Sequence, residues 1–386
     1  MDFSLSEVQK MLRGEARSFL EKECPSQLVR EMEKDEKGYP PQLWRQIAEL
    51  GWMAVPFPEK YGGVDGNFID LIVLIEEIGR ACFPSPFVPT VVLGGLSILE
   101  LGTEDQKDKL LPGIAAGDTI CTLAWLEANN SYDPAVIACQ ASKEINGYHL
   151  QGTKLFVPDA HVADLLLVAA RTKAGAQDGQ SIALFVVDAR SQGITCDPLK
   201  TISGEKQFEV KLDVRVPKEN MLGNTLNAGK LLQKISERAA IVKCAEMVGG
   251  AQRILEMTLS YVKERSQFGQ PIGSFQAIQH HCANIAVDVE TSRLNTYYAA
   301  WLLSEGLPAS KHVAVAKAWV SEAYRRITSL SHQTHGAIGF TKELDLELFV
   351  RRAKAGEIAF GDANFQRKII ARELISDMQE RLKNDR

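Results

Sequence analysis

Apolar and polar residues change their period twice along the chain. In "SEVQKMLRGEARSFLEKEC" Val8, Leu12, Ala16 and Leu20 recur at helical spacing, and Ser6 and Gln9 stand as a capping box requires. "PPQLWRQIAELG" starts on prolines and stops at Gly51, which predicts a second helix. "NFIDLIVLIEEIGRAC" and "VVLGGLSILELG" are apolar nearly all round, as buried helices are. The period then becomes two. "QFEVKLDVRV" (207–216) alternates Phe208, Val210, Leu212, Val214 and Val216 with polar neighbours, and "YHLQGTKLFV", "ADLLLVAAR" and "SIALFVVDA" are short strand-like runs. No helical pattern intervenes, so a small barrel or sandwich fits better than a parallel α/β sheet. Helical spacing returns near 226, with long segments at 226–264, 275–305, 309–334 and 344–380. The pattern predicts an α+β protein with an N-terminal all-α domain (1–116), a middle β-barrel or sandwich (117–225) and a C-terminal four-helix bundle (226–386).

Composition narrows the class. At 386 residues and 45% apolar the chain is an ordinary globular protein of two or three domains. A net charge of −5 without a basic stretch argues against nucleic acid and anionic membranes as partners. The seven cysteines are scattered without C-x-x-C spacing and read as reduced thiols. "MDFSLSEVQKML" lacks the layout of a signal peptide, and no apolar run is long enough to span a bilayer. The expectation is a cytoplasmic protein with no membrane insertion. No metal site is predicted: His280 and His281 point differently on a helix, and His332 and His335 have no third ligand at suitable spacing. G-x-S-x-G, P-loop and strand–GxGxxG–helix patterns are absent.

One turn stands out. In "YVKERSQFGQPIGSFQAIQHH" (261–281) Arg265 offers a forked, permanently charged donor for a diphosphate, and Phe268 a ring for a purine. A second Gly-rich break, "HQTHGAIGF" (332–340), lets backbone approach a bulky ligand at Gly336 and Gly339 and supplies Gln333. Taken alone, such a turn is more often a solvated helix hairpin.

With these motifs the whole chain resembles the acyl-CoA dehydrogenases, flavoproteins that desaturate acyl-CoA thioesters between Cα and Cβ. The resemblance rests on the "FSLSEVQ" opening, "PEKYGG" (58–63), "YHLQGTKLFV", the R-x-Q-F-G-x-x-I-x-x-x-Q turn, the Q-x-x-G-x-x-G-F loop and "QRKIIAREL" (366–374). It implies FAD, held partly across a subunit contact in a homotetramer or a hetero-oligomer with a related subunit, and an electron-accepting flavoprotein as redox partner. Matching positions assign Arg265, Phe268 and Gln276 to the diphosphate and adenosine of FAD, and Gln333 and Gly336 to a second flavin loop. Asp362 and Asn364 fall on a last one. The family's Thr-Glu-Pro-Gly-x-Gly-Ser-Asp run reads "LEANNSYD" (126–133), with Leu126 for Thr and Tyr132 for Ser. The Trp-x-Thr beside the isoalloxazine reads Phe156-Val157-Pro158. Phe156 still covers the ring, while the hydroxyl donor is lost and Pro158 has no N–H to replace it.

The same resemblance raises the question of the base that removes the α-proton. The commonest branch carries a Glu where this chain has Phe360, and a second branch a Glu at the position of Ala239. Seven residues beyond Ala239 stands Glu246, about two turns or roughly 10 Å along the same helix and about 20° off the same face. Relatives acting on bulky, ring-bearing acyl-CoAs look similar through "AEMVGGAQ" and carry a Glu there. Two readings stay open: Glu246 is the base, or it is a structural residue paired with Lys243 or another bundle cation. Asp362 is the next candidate, and equally a helix-capping residue. For the substrate, Tyr132 and Arg238 fall near acyl-CoA. Ala239, Ala240, Ala245, Gly249 and Gly250 either leave room for a broad acyl group or permit close helix packing. Two rival functions remain: a non-catalytic partner subunit, and a base-independent flavin-dependent acyl-CoA eliminase or decarboxylase.

Overall fold

Ser6 and Gln9 do form the reciprocal cap: the Ser6 hydroxyl accepts the Gln9 N–H (3.2 Å) and the Gln9 carboxamide accepts the Ser6 N–H (3.0 Å). They open α1 (Glu7–Glu23) in a computed structural model that describes residues 4–129, 131–173 and 181–384. The helices α2 (Ser26–Lys34), α3 (Pro41–Glu49) and α4 (Phe68–Arg80) follow. Residues 88–95 wind as a π-helical stretch into α5 (Leu96–Leu101), and a second capping box, Thr103 with Gln106, opens α6 (Glu104–Ala115).

The middle of the chain builds one curled seven-stranded sheet among the described residues: β1 (Cys121–Ala124), β2 (Gln140–Glu144), β3 (Gly147–Pro158), β4 (Leu165–Arg171), β5 (Ile182–Asp188), β6 (Ile194–Leu199) and β7 (Gln207–Pro217). Long antiparallel pairings join β3 to β7 and β4 to β5. Strand β4 also takes β1 in parallel, Cys121 opposite Leu165, and touches β2 at Arg171. In β7 the predicted alternation holds, with Phe208, Val210, Leu212, Val214 and Val216 all buried.

Then come α7 (Gly229–Glu264), the two-residue strands β8 (Ser266–Gln267) and β9 (Gln270–Pro271), α8 (Gln276–Ser304), α9 (Ser310–His335), α10 (Leu346–Ile358) and α11 (Ala363–Asn384). Where the periodicity predicts one helix over 344–380, the structure has two. Phe360 (φ 55°) and Gly361 (φ 90°) leave the helical region, and Asp362 caps the restart. Helix α9 packs against α8, α10 and α11.

The chain divides into two compact units. One contains residues 30–67 and 84–239, with the sheet; the other contains 1–29, 68–83 and 240–386. In the second, α4 is less apolar than its neighbours suggest. Glu76 and Glu77 are buried, and each carboxylate is met: Glu76 by Arg13, Arg293 (3.1 Å) and the Tyr297 hydroxyl (2.7 Å), Glu77 by a two-point Arg17 fork at 2.7 and 3.0 Å. These pairs tie α1 and α8 to α4.

Candidate active site

In the sheet-containing unit the candidate residues cluster where β1 ends and β3 bulges. The ladder with β7 shifts register between Lys154 and Val157, which puts Phe156 at φ 53° with its ring 45% exposed. Leu126 accepts the Leu155 N–H through its carbonyl (2.8 Å). Between them lies Lys154, wholly buried, whose Nζ donates to Glu127 Oε1 (2.7 Å) and to the Trp125 carbonyl (3.2 Å). Glu127 in turn accepts the N–H groups of Ala138 (2.7 Å) and Cys139 (2.9 Å). The Arg171 guanidinium donates to the carbonyls of Ile137 (2.9 Å) and Ala135 (2.7 Å). The loop after β1 is thus hung on two cations. Removing one member of such a buried pair costs about 3–5 kcal/mol, because the other is left charged and dry. Tyr132 packs edge-on against Trp125 at 5.5 Å, and the buried Trp125 indole N–H has no partner among the described residues. The Pro158 carbonyl accepts the Thr122 hydroxyl (2.8 Å). Arg238 is engaged by Glu100 at 2.7 Å.

In the helical unit, α7 stops at Glu264, and Phe268 (φ 54°) and Gly269 (φ 80°) make the turn between β8 and β9. The Phe268 ring is 93% exposed and meets Phe275 edge-on at 6.1 Å, just before Gln276 opens α8. Arg265, Gln276 and Gln333 are exposed. Tyr261 links this turn to the next loop: its hydroxyl donates to the His335 carbonyl (3.3 Å) and its ring lies 4.5 Å from the imidazole. That places Gln333, and Gly336 at φ 66°, beside the end of α7. Burial pushes the His335 imidazole below its usual range; Nδ1 lies 2.8 Å from the Ser331 carbonyl and Nε2 is buried without a partner.

Asp362 and Asn364 are not part of that group. The Asp362 carboxylate accepts the Phe365 N–H (2.8 Å), and Asn364 is exposed. Their turn lies beside Lys317, near the start of α9, whereas Gln333 and Gly336 lie at its end, roughly 27 Å along the helix axis.

Glu246 sits between α4 and α10. A Cβ on Gly79 of α4 would fall 2.2 Å from the Glu246 carbonyl oxygen, so the two helix backbones touch there. On the other side, Met247 Sδ is 2.9 Å from where a Gly356 Cβ would stand, which sets this stretch of α7 against the end of α10. The Glu246 carboxylate is half-buried and ion-paired with Lys243 one turn earlier. Gly249 and Gly250 are packing positions. Added Cβ atoms would meet the Glu76 carbonyl at 1.8 Å and the Tyr324 hydroxyl at 2.2 Å, so neither leaves space for an acyl group.

An exposed guanidinium, exposed carboxamides at Gln276 and Gln333, and a solvent-facing phenyl ring suit a dinucleotide's diphosphate and base. Neither Leu126 nor Pro158 carries a side-chain hydrogen-bond donor. Family models for the acyl-CoA dehydrogenase N-terminal, middle and C-terminal domains match residues 6–118, 122–213 and 231–375. The chain belongs to the acyl-CoA dehydrogenase family. It is 34% identical over 381 residues to the probable acyl-CoA dehydrogenase YngJ of Bacillus subtilis, covering 97% of this chain and all of that one. A steroid acyl-CoA dehydrogenase, Tcur3481–Tcur3483 in its G363A variant, superposes with a TM-score of 0.87 at 31% identity, covering 98% and 100% of the two chains. The ChsE4–ChsE5 complex from Mycobacterium tuberculosis gives 0.88 at 28%, covering 97% and 99%. This acyl-CoA dehydrogenase is therefore an FAD-dependent oxidoreductase of acyl-CoA thioesters. Among its described residues no helix is long and apolar enough to cross a membrane.

The periodicity reading missed Lys154 and Arg171 as site-building residues, and Lys317 beneath the last turn. A lysine at an inward-facing position of a strand, as Lys154 is, was the available signal.

Proposed function

We propose that this enzyme dehydrogenates an acyl-CoA with a bulky or cyclic acyl group and that Glu246 removes the α-proton. The observation that carries the reading is a half-buried carboxylate on the stretch of α7 that packs against the end of α10, where Phe360 stands in place of the common base. Likeness to a steroid acyl-CoA dehydrogenase supports the substrate class. When bound, FAD supplies the hydride acceptor. Arg265, Phe268, Gln276, Gln333 and Gly336 hold its adenosine diphosphate part. Leu126, Phe156 and Pro158 line the ring, and Asp362 and Asn364 form the last contact. Tyr132 and Arg238 face the acyl-CoA, Arg238 by exchanging Glu100 for a CoA phosphate. Glu246 accepts the proton on a carboxylate oxygen, and Lys243 holds that carboxylate in one place. In domain terms, residues 1–116, 117–225 and 226–386 are the three parts, of which the second and third supply these groups.

The test is anaerobic flavin bleaching against a panel of acyl-CoAs. Glu246→Gln is expected to retain FAD and slow bleaching by about 10²–10⁴-fold, the share of a general base. Asp362→Asn, assayed with FAD at saturation, is expected to bleach at nearly the wild-type rate. The reverse result would hand the base to Asp362.

A second reading is favoured by the Lys243–Glu246 pair and by the missing donors at Leu126 and Pro158. In it the chain is the non-catalytic partner in a complex of two related subunits. A chain purified alone that is colourless, and active only with a second polypeptide, would establish it.

A further inference from the structure

Lys317 is a buried polar group of the helical unit that the chemistry above leaves unused. It has no exposed surface, and no carboxylate lies within ion-pair distance of it among the described residues. Its ammonium, with three N–H groups to donate, lies within hydrogen-bond distance of four acceptors: the Ser321 hydroxyl (2.9 Å) on its own helix and the carbonyls of Gly356 (3.0 Å), Glu357 (3.1 Å) and Gly361 (3.2 Å). The first two belong to the last turn of α10, where carbonyls have no partner within the helix and the dipole is negative. The third belongs to the turn that breaks α10 from α11. A buried cation thus bridges a helix end to the following turn. The turn needs such a hold: Phe360 and Gly361 both have positive φ, and a non-glycine residue there is strained. Gln366, also buried, holds the same turn from α11 by donating to the Phe360 carbonyl (2.8 Å).

We infer that Lys317 is a positioning residue, which fixes the 359–362 turn so that Asp362 and Asn364 are presented to FAD and Phe360 keeps the place of the common base. The cofactor half of this inference rests on the function proposed above; the hold on the turn does not. Burial pushes the Lys317 ammonium down to about 8. The groups facing it are Lys243 and Cys244 from α7, Glu357 from α10 and Asp362 from the turn. Glu357 and Asp362 favour its charge and Lys243 opposes it, while burial pushes the Cys244 thiol up to about 12 and keeps it neutral. As pH rises through about 8, an ammonium with three N–H donors becomes an amine with two, and the end of α10 loses its counter-charge.

The experiment uses the full chain with and without FAD. Hydrogen exchange of the apo protein follows the amides of Gly361, Phe365 and Gln366, and FAD affinity is measured by flavin fluorescence from pH 6.5 to 9.5. In the wild type, exchange of these amides is expected to rise more steeply above pH 8 than its intrinsic base catalysis. FAD affinity is expected to fall over the same interval. In Lys317→Met the amides exchange fast at every pH and FAD binds about 10- to 100-fold more weakly, the scale of losing hydrogen bonds to a charged group, with no step near pH 8. Should that variant fail to fold, Lys317→Gln, which removes the charge and keeps a donor, is measured in its place, and wild-type exchange there overturns the proposal. Wild-type exchange in Lys317→Met overturns it too. Lost protection with unchanged FAD affinity overturns the cofactor role of Asp362 and Asn364 and leaves the hold on the turn.

Discussion

Asp159 follows Pro158 at φ 52° and carries its carboxyl away from water, near Glu205 and Lys206. Burial first, then Glu205, pushes it up to about 7, against the opposing pull of Lys206. The unfolded carboxyl releases its proton near 3.8, so between about pH 4 and 7 the folded chain holds a proton that the unfolded chain has lost. Stability from this group is therefore highest below pH 4 and falls as pH rises to 7, after which the loss is complete. Asp159→Asn keeps the shape and tolerates positive φ. Its melting temperature should match the wild type below about pH 4, exceed it increasingly up to about pH 7 and keep a level gap beyond. A constant gap across that range would show that the carboxyl is solvated. At this scale the exposed position of Arg265 and Phe268 at the turn was legible, because a turn packs little and leaves a phenyl ring or guanidinium facing water. It was illegible for Lys154 and Lys317, since a lysine is taken for surface until its acceptors, which are distant backbone carbonyls, are located.

Helix contacts were half legible. The small residues of "AEMVGGAQ" admitted both a roomy pocket and tight packing, and spacing alone does not choose between them. The structure chooses packing for Gly249, because the Glu76 carbonyl of α4 occupies the place of a side chain. Gly249→Ala should therefore force the two helices apart and cost about 1–3 kcal/mol. Gly14, within α1, is the control: a Cβ there meets nothing within 4 Å, and Gly14→Ala should stabilise by about 0.5–1 kcal/mol through backbone entropy. Denaturant midpoints moving in opposite directions would confirm the pair. A neutral Gly249→Ala would mean that the α4–α7 contact is softer than its geometry. The break between α10 and α11 escaped the periodicity for a related reason. Phe360 is a residue that helices accept, and only its left-handed backbone, held by Lys317 and Gln366, reveals the turn.

For the molecule as a whole, the exposed apolar residues of the helical unit demand a cover that one chain does not supply. Phe268, Phe340, Ile358, Ile375 and Met378 all present large side chains to solvent. Phe268 is the sharpest case, because its backbone is held in a paired ribbon with two positive φ angles while its ring touches little besides Phe275. An ordered turn that offers an aromatic ring to water fits a surface completed by another subunit, and homotetramers are typical of this family. Phe268→Ser should then lower the sedimentation mass from about four times 42.6 kDa toward smaller species. The same variant should release FAD, because the turn that carries Phe268 also carries Arg265. Val8→Ser, which removes another exposed apolar group, from α1, should do neither. If Phe268→Ser stays tetrameric but loses FAD, the ring serves the cofactor of its own chain. If it keeps both, the exposed phenyl has no part in assembly or binding.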